Sequence, residues 1–536
     1  MNKEGNFIGD TKLDVVIYDT TLRDGSQGEG IAFSYDDKLK IAQKLDYLGV
    51  TYIEGGWPGS NPKDLEFFKQ VQKLELKNAK ITAFSSTRKP NININQDGNI
   101  KALMEAGVKA ATIVGKTWDF HVYRALETTL EENLSMVRDT ISFLKDKGLE
   151  VMFDAEHFFD GYKNNPDYAL AVLMAAAEAG ADWLVLCDTN GGTMPWEIAD
   201  ILNVVKSVTP VPLGIHVHND AGCAVSNSLM AVRNGVTQVQ GTINGYGERC
   251  GNADLCSVIP GLELKMGKKC LPEGSLKHLS EVSHFVGEIA NMPHHNNQPY
   301  VGYGAFAHKG GIHVSALLKD SQTYEHINPE QVGNHRRVLV SELAGLSNLL
   351  YKAKEFNLDI NSYNDETRKV IKQIKELENQ GFQFEGADAS LELFLRKGFG
   401  QHEDYFQLKN LKIILEKNES EEISSEAMIK VAVGNKTYHT AAEGDGPVNA
   451  LDNSLRKALT EVYPEIAEMH LSDYKVRVLN GNDGTAAKVR VLIDSADQTG
   501  KWSTVGVSEN IIEASWQALV DSVNYLLMNK RGKINN

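Results

Sequence analysis

Eight times between Val15 and about Gly267, a short run rich in β-branched residues gives way to an amphipathic helical stretch, and this alternation constrains the fold more than any other feature of the chain. The spacing predicts strands at 15–20, 50–54, 81–85, 111–115, 150–155, 183–188, 212–218 and 237–244. Between them, apolar residues recur at helical spacing, as at 130–147 and at 36–48 with Leu39, Ile41, Ala42, Leu45 and Leu48. Several of these stretches end in glycine just before the next strand, where a left-handed C-cap is expected: Gly49, Gly107, Gly148 and Gly235. Eight βα units in roughly 250 residues match a TIM (β/α)8 barrel. An open, doubly wound sheet is the alternative, because periodicity does not report closure. In either fold a site is expected at the C-terminal ends of the strands.

The rhythm stops after Lys269, which divides the 536 residues into a barrel (1–269), a mainly helical linker or lid region (270–398) and a C-terminal α+β domain (399–536). The helical region is interrupted by the polar stretch Asn291-Met292-Pro293-His294-His295-Asn296-Asn297. The last region reads as strands near 401–418, 429–433, 474–479, 488–494 and 502–506, helices near 450–462 and 509–529, and a solvated charge run, Glu419-Ser420-Glu421-Glu422. No low-complexity tract or short-period repeat is present.

With 42% hydrophobic and 24% charged residues and only 14 prolines, the chain is neither disordered nor collagen-like. Its 55 basic against 71 acidic residues leave a net charge of −16, which repels phosphate backbones and anionic lipid. A small-molecule partner is therefore expected, with no nucleic acid and no membrane. Five cysteines (Cys187, Cys223, Cys250, Cys256 and Cys270), odd in number and without a C-x-x-C pair, suit reduced thiols. The N-terminus is polar and no run of about 18 apolar residues occurs, so a cytoplasmic location is expected.

The chemistry-bearing residues cluster at strand ends. His216 and His218 share one face of the seventh strand and form a pair of candidate metal ligands; a blander reading makes them two hydrogen-bonded imidazoles. Asp24, after the first strand, reaches the same rim once a barrel closes, and Asn252, on the glycine-rich turn after the eighth, offers an amide oxygen. This mixed N/O set suits Mn²⁺, Mg²⁺ or Zn²⁺ left open to a chelating substrate. Arg23, beside Asp24, is placed to hold a developing oxyanion, or else simply pairs with a rim carboxylate such as Glu248. Glu156 and Thr189, after the fifth and sixth strands, are candidate contacts to a carboxylate or keto oxygen, although such residues more often cap helices or support ligands.

Taken in order, Asp19-Thr20-Thr21-Leu22-Arg23-Asp24-Gly25, His216-Val217-His218-Asn219-Asp220 and Gly245-Tyr246-Gly247-Glu248-Arg249-Cys250-Gly251-Asn252 resemble the Claisen-condensing metalloenzymes of the 2-isopropylmalate, homocitrate and citramalate synthase family. Gly444-Asp445-Gly446-Pro447-Val448-Asn449-Ala450, Asp473-Tyr474-Lys475-Val476-Arg477 and Gly484-Thr485-Ala486-Ala487 resemble that family's feedback-regulatory domain. The segment from Tyr52 to Asp64, with Glu54-Gly55-Gly56-Trp57-Pro58-Gly59, resembles the citramalate-forming type.

The resemblance implies Asp24, His216 and His218 as metal ligands with Asn252 nearby or ligating, Arg23 as the catalytic arginine, and Glu156 and Thr189 as substrate contacts. It further implies that Gly310-Gly311-Ile312-His313 carries the catalytic histidine and that Tyr324 reaches an active site across a homodimer. His308 is a second candidate for the base, and the choice between His308 and His313 stays open.

The implied reaction joins acetyl-CoA, as co-substrate, to pyruvate and hydrolyses the thioester, with isoleucine or leucine as feedback effector. A 2-isopropylmalate synthase using 2-oxoisovalerate, a lyase running in the opposite sense and a non-catalytic amino-acid sensor are the alternatives. The C-terminal domain has a second possible role in dimerisation alone. Trp57 is expected to shrink the keto-acid pocket towards pyruvate, and Cys250 to be a packing thiol rather than a reactive one.

Overall fold

The computed structural model describes residues 7–8, 11–341, 345–358, 360, 365–402, 404–417, 423–479 and 481–532. The charge run Glu419-Ser420-Glu421-Glu422 and most of the polar N-terminus lie outside the described residues. Two compact units divide the chain: the first runs to Phe306 and includes Ile327–His335, and the second holds Ala307–His326 and the chain from Arg336 onward.

The first unit is a closed eight-stranded parallel barrel. Its strands are Val16–Asp19, Tyr52–Glu54, Lys80–Ser86, Ala110–Lys116, Glu150–Glu156, Trp183–Asp188, Leu213–Val217 and Gln238–Gly241. The eighth strand closes the ring by pairing with both the first (Gly241 with Asp19) and the seventh (Gln240 with His216). The open-sheet alternative is thereby excluded.

Each βα unit follows local rules. Helix Tyr35–Leu48 starts at a capping box between Ser34 and Asp37, buries Ile41, Ala42, Leu45 and Leu48 on one face, and stops at Gly49 with φ of 94°. That apolar stripe contributes roughly 1.5–3 kcal/mol for each fully buried large side chain. Residues after Lys269 continue the same core: helix Leu279–Ile289 lays Leu279, Val282 and Val286 into it. Of the region assigned by sequence to the linker, the part up to Phe306 thus packs with the barrel unit.

In the second unit a short parallel pair, Ala307–His308 with Arg337–Val338, is followed by helices Leu346–Glu355, Asp365–Asn379 and Asp388–Gly398. Two three-stranded antiparallel sheets come next. Strands Gln407–Lys417, Ile423–Val433 and Lys436–Gly444 precede helix Pro447–Leu459, and His470–Val478, Val489–Asp497 and Gly500–Ser508 precede helix Ile511–Gly532. The strand Lys436–Gly444 escapes the sequence expectation because its Thr-Ala-Ala-Glu-Gly end lacks the β-branched alternation that marks a strand. Ile429 and Val431 pack with Leu451 and Leu455, and Val491 and Ile493 with Leu519 and Val523, within one shared core. Among the described residues no helix is long and apolar enough to cross a membrane.

Candidate active site

Barrel closure brings Asp24, from the first βα turn, to the seventh strand, some two hundred positions later in the chain. One donor atom from each of Asp24, His216 and His218 lies within 4.8 Å of the others, and all three residues are buried. His216 Nε2 is 3.1 Å from Asp24 Oδ2. His216 Nδ1 is 2.8 Å from Gln240 Oε1, so Gln240 accepts the Nδ1 proton and Nε2 is left for a cation or for Asp24.

Among the described residues, the buried His218 Nδ1 and Asn252 Oδ1 have no hydrogen-bond partner. Asn252 is held beside His218 by a backbone bridge, while its Nδ2 donates to Tyr246 O at 3.1 Å. Buried polar groups are nearly always paired, so unpaired ones beside a converging carboxylate and imidazole fit a divalent cation with mixed N/O ligands.

The electrostatics match. Burial alone would raise the Asp24 carboxyl, but Arg23, His216 and His218 hold it well below the ordinary carboxylate range. Burial, then the neighbouring His216, lowers His218 to about 4 and keeps it neutral, as a ligand must be. Arg23 donates from Nε to Glu54 Oε2 at 2.6 Å, lies 3.5 Å from Asp24 and stacks over the Phe84 ring at 4.0 Å. Its partner is therefore Glu54, not Glu248. Glu54 comes from the neighbouring second strand and accepts a further bond at 2.8 Å from Tyr18, whose hydroxyl also contacts Thr82 and Thr112 inside the barrel.

A cavity of about 400 Å³ opens over these groups, lined by Arg23, Asp24, His216, His218, Glu156 and Thr189 among others. Glu156 is ion-paired to Lys116 on the adjacent strand. Thr189 Oγ1 accepts from the His157 backbone at 2.9 Å, which leaves its own proton free to donate into the cavity. Asp154, also in the wall, is pushed up to about 7 by burial and is bonded through Gln240 Nε2 at 3.1 Å. Trp57 lines the cavity as expected, its ring edge-on to Phe84 at 5.4 Å. Cys250 is exposed, which corrects the expectation of a packing thiol: it stands on the polar turn from Gly245 to Gly251, which the ion pair of Arg249 with Asp220 pins.

His308, His313 and Tyr324 belong to the second unit. His313 and Tyr324 are exposed and stack on each other, ring centroids 4.1 Å apart. His308 is instead tied at 3.2 Å to the buried Glu325, which also receives Arg336 at 2.7 and 2.5 Å. Glu54, Phe84, Asp154 and Gln240 went unrecognised in sequence as site residues. For Glu54, Asp154 and Gln240 the available signal is a polar residue facing inward on a barrel strand; Phe84 carries no such signal.

Three family models match successive stretches of the chain. Residues 14–286 match the HMGL-like family model, 300–381 a homocitrate synthase post-HMGL domain-like model, and 385–527 the LeuA allosteric (dimerisation) domain model. An (R)-citramalate synthase from Geobacter sulfurreducens is 56% identical over 96% of this chain and 97% of its own length. One from Aquifex aeolicus is 56% identical over 96% and 98%. A probable 2-isopropylmalate synthase from Methanopyrus kandleri is 32% identical over 96% and 99%.

Proposed function

Because the chain belongs to the HMGL-like family and stands among its (R)-citramalate synthases, we propose that it condenses acetyl-CoA with pyruvate and water to give (R)-citramalate and CoA. The observation that carries the chemistry is the convergence of Asp24, His216 and His218 on one point at the barrel mouth. Those residues, with Asn252, would hold a divalent cation (Mn²⁺, Mg²⁺ or Zn²⁺), which when bound supplies Lewis acidity to a 2-keto acid.

The protein's own groups account for the rest. Arg23 is fixed by Glu54 and Phe84 with its remaining N–H groups available to the C2 oxygen, where negative charge develops as the carbon–carbon bond forms. Thr189 donates its hydroxyl to the substrate carboxylate. Glu156, held in the cavity wall by Lys116, is a further contact to the bound substrate. His313, with Tyr324 stacked on it, takes a proton from the acetyl methyl group. The enolate attacks C2 of pyruvate, the C2 oxygen is protonated, and water then cleaves the thioester and releases CoA as the thiol.

His313 is preferred to His308 because it is exposed and, among the described residues, bonded to no carboxylate, whereas the buried Glu325 already holds His308. The C-terminal domain serves homodimerisation and feedback by isoleucine, with leucine as the competing effector. Calorimetry with the two amino acids separates them.

A panel of 2-keto acids with acetyl-CoA and added metal, with product identified by mass, tests the assignment. Citramalate is expected, with a higher kcat/KM for pyruvate than for 2-oxoisovalerate. The reverse preference would make the chain a 2-isopropylmalate synthase, and the absence of thiol release with every keto acid in the panel would fit a sensor.

A further inference from the structure

Outside the chemistry above, the barrel unit contains a buried cation that no step uses. Lys38, on helix Tyr35–Leu48, is 1% exposed and ion-pairs with the buried Asp64 on helix Pro62–Val71. Exchanging a buried ion pair for apolar side chains of similar volume is often neutral or stabilising, so stability alone accounts poorly for charges at this position. What the pair does is grip the loop after the second strand. Lys38 Nζ donates to Gly55 O at 3.0 Å, and Asp64 Oδ2 accepts from the Trp57 backbone N–H at 2.9 Å.

The loop runs so close to the helix that side chains are excluded. A Cβ on Gly55 would stand 2.3 Å from the Phe67 ring, and one on Gly56, at φ of +143°, would stand 2.4 Å from Asp64 Oδ2. Phe84 completes the clamp by donating its N–H to Gly56 O at 3.0 Å. Trp57 emerges from this clamp into the cavity wall, edge-on to Phe84, whose other contact is the Arg23 guanidinium.

We propose that the Lys38–Asp64 pair positions Trp57, and that Trp57 so held sets the upper size of the keto-acid side chain. Lys38 and Asp64 are positioning residues: they act through the backbone of Gly55 and Trp57, and the substrate touches only the indole. The inference rests on the pyruvate reading above and deepens it. Selection against the two extra methyl groups of 2-oxoisovalerate requires a wall that cannot yield, and a loop without a clamp would yield.

The test measures kcat/KM for pyruvate and for 2-oxoisovalerate, by thiol release from acetyl-CoA, in the full-length chain and three variants. Asp64→Asn breaks the clamp. Lys38→Met with Asp64→Leu removes both charges while keeping the volume. Trp57→Ala removes the wall itself. The ratio favouring 2-oxoisovalerate is expected to rise at least about tenfold in all three, the scale on which one or two methylenes are discriminated.

A loss of overall activity with the ratio unmoved in the first two would mean that the pair is merely structural and would overturn the proposal. A ratio unmoved in Trp57→Ala would overturn it equally. If Asp64→Asn does not fold, the charge-free double variant decides. A wild-type preference for 2-oxoisovalerate would instead refute the substrate reading. That result shows in the parent protein alone, while the positioning claim is still judged by the shift between parent and variants.

Discussion

The barrel mouth and the His313–Tyr324 pair of the second unit are built on opposite principles. At the mouth, groups from different strands and turns are bonded to one another in the barrel interior: Arg23 to Glu54, His216 to Asp24 and Gln240, and Gln240 to Asp154. In the second unit, His313 and Tyr324 are exposed and contact each other on a seven-residue helix, Gly311–Leu317, and the loop that follows it. A cation site needs donors fixed to within a few tenths of an ångström, which a closed sheet provides at no further ordering cost. A proton-transfer group must alternate between states and meet substrate, a task suited to short, less protected elements.

If this contrast holds, substitutions in the two regions will fail differently. The largest effect is expected at the mouth: Asp24→Ala should lower kcat by roughly a thousandfold, the several kcal/mol that a Lewis-acid site supplies, and calorimetry should show metal binding lost with it. His313→Ala should lower kcat about a hundredfold or more while leaving metal affinity unchanged. A loss of metal binding in that variant would break the distinction. Gln240→Ala, which frees the His216 ring to rotate or change tautomer, should weaken metal affinity about 10–100-fold, and activity should recover at saturating metal.

The smallest effect separates acid sensitivity of the barrel unit from acid sensitivity of catalysis. His294 stacks on His284 with centroids 3.9 Å apart, and burial, then the His284 charge, lowers it to about 4. A folded pKa below the unfolded value near 6.5 means that its contribution to stability is full at neutral pH and is lost as pH falls from about 6.5 towards 4. His294→Phe should therefore lose less Tm than the parent over that interval in thermal unfolding. Equal losses would contradict the assignment.

The sequence was most legible where structure is local. All eight barrel strands follow from β-branched runs and glycine-terminated helices, and the convergence of the candidate ligands follows once closure is assumed, because alternation puts His216 and His218 on one face. Long-range partnerships were hidden. Nothing in the neighbourhood of Glu54 announces that Arg23, 31 positions away, will be its partner, and Lys38 reads as one more polar residue of an amphipathic helix until the fold buries it against Asp64. Cys250 misled because the burial habit of free thiols gave way to a polar turn.

The central claim is that a carboxylate and two imidazoles from opposite ends of the barrel sequence share one cation. Anomalous diffraction from crystals of the full chain grown with Mn²⁺ tests it most directly. The account predicts a single strong peak within bonding distance of Asp24, His216 and His218. A principal peak elsewhere, or one touching fewer than two of the three, would contradict it.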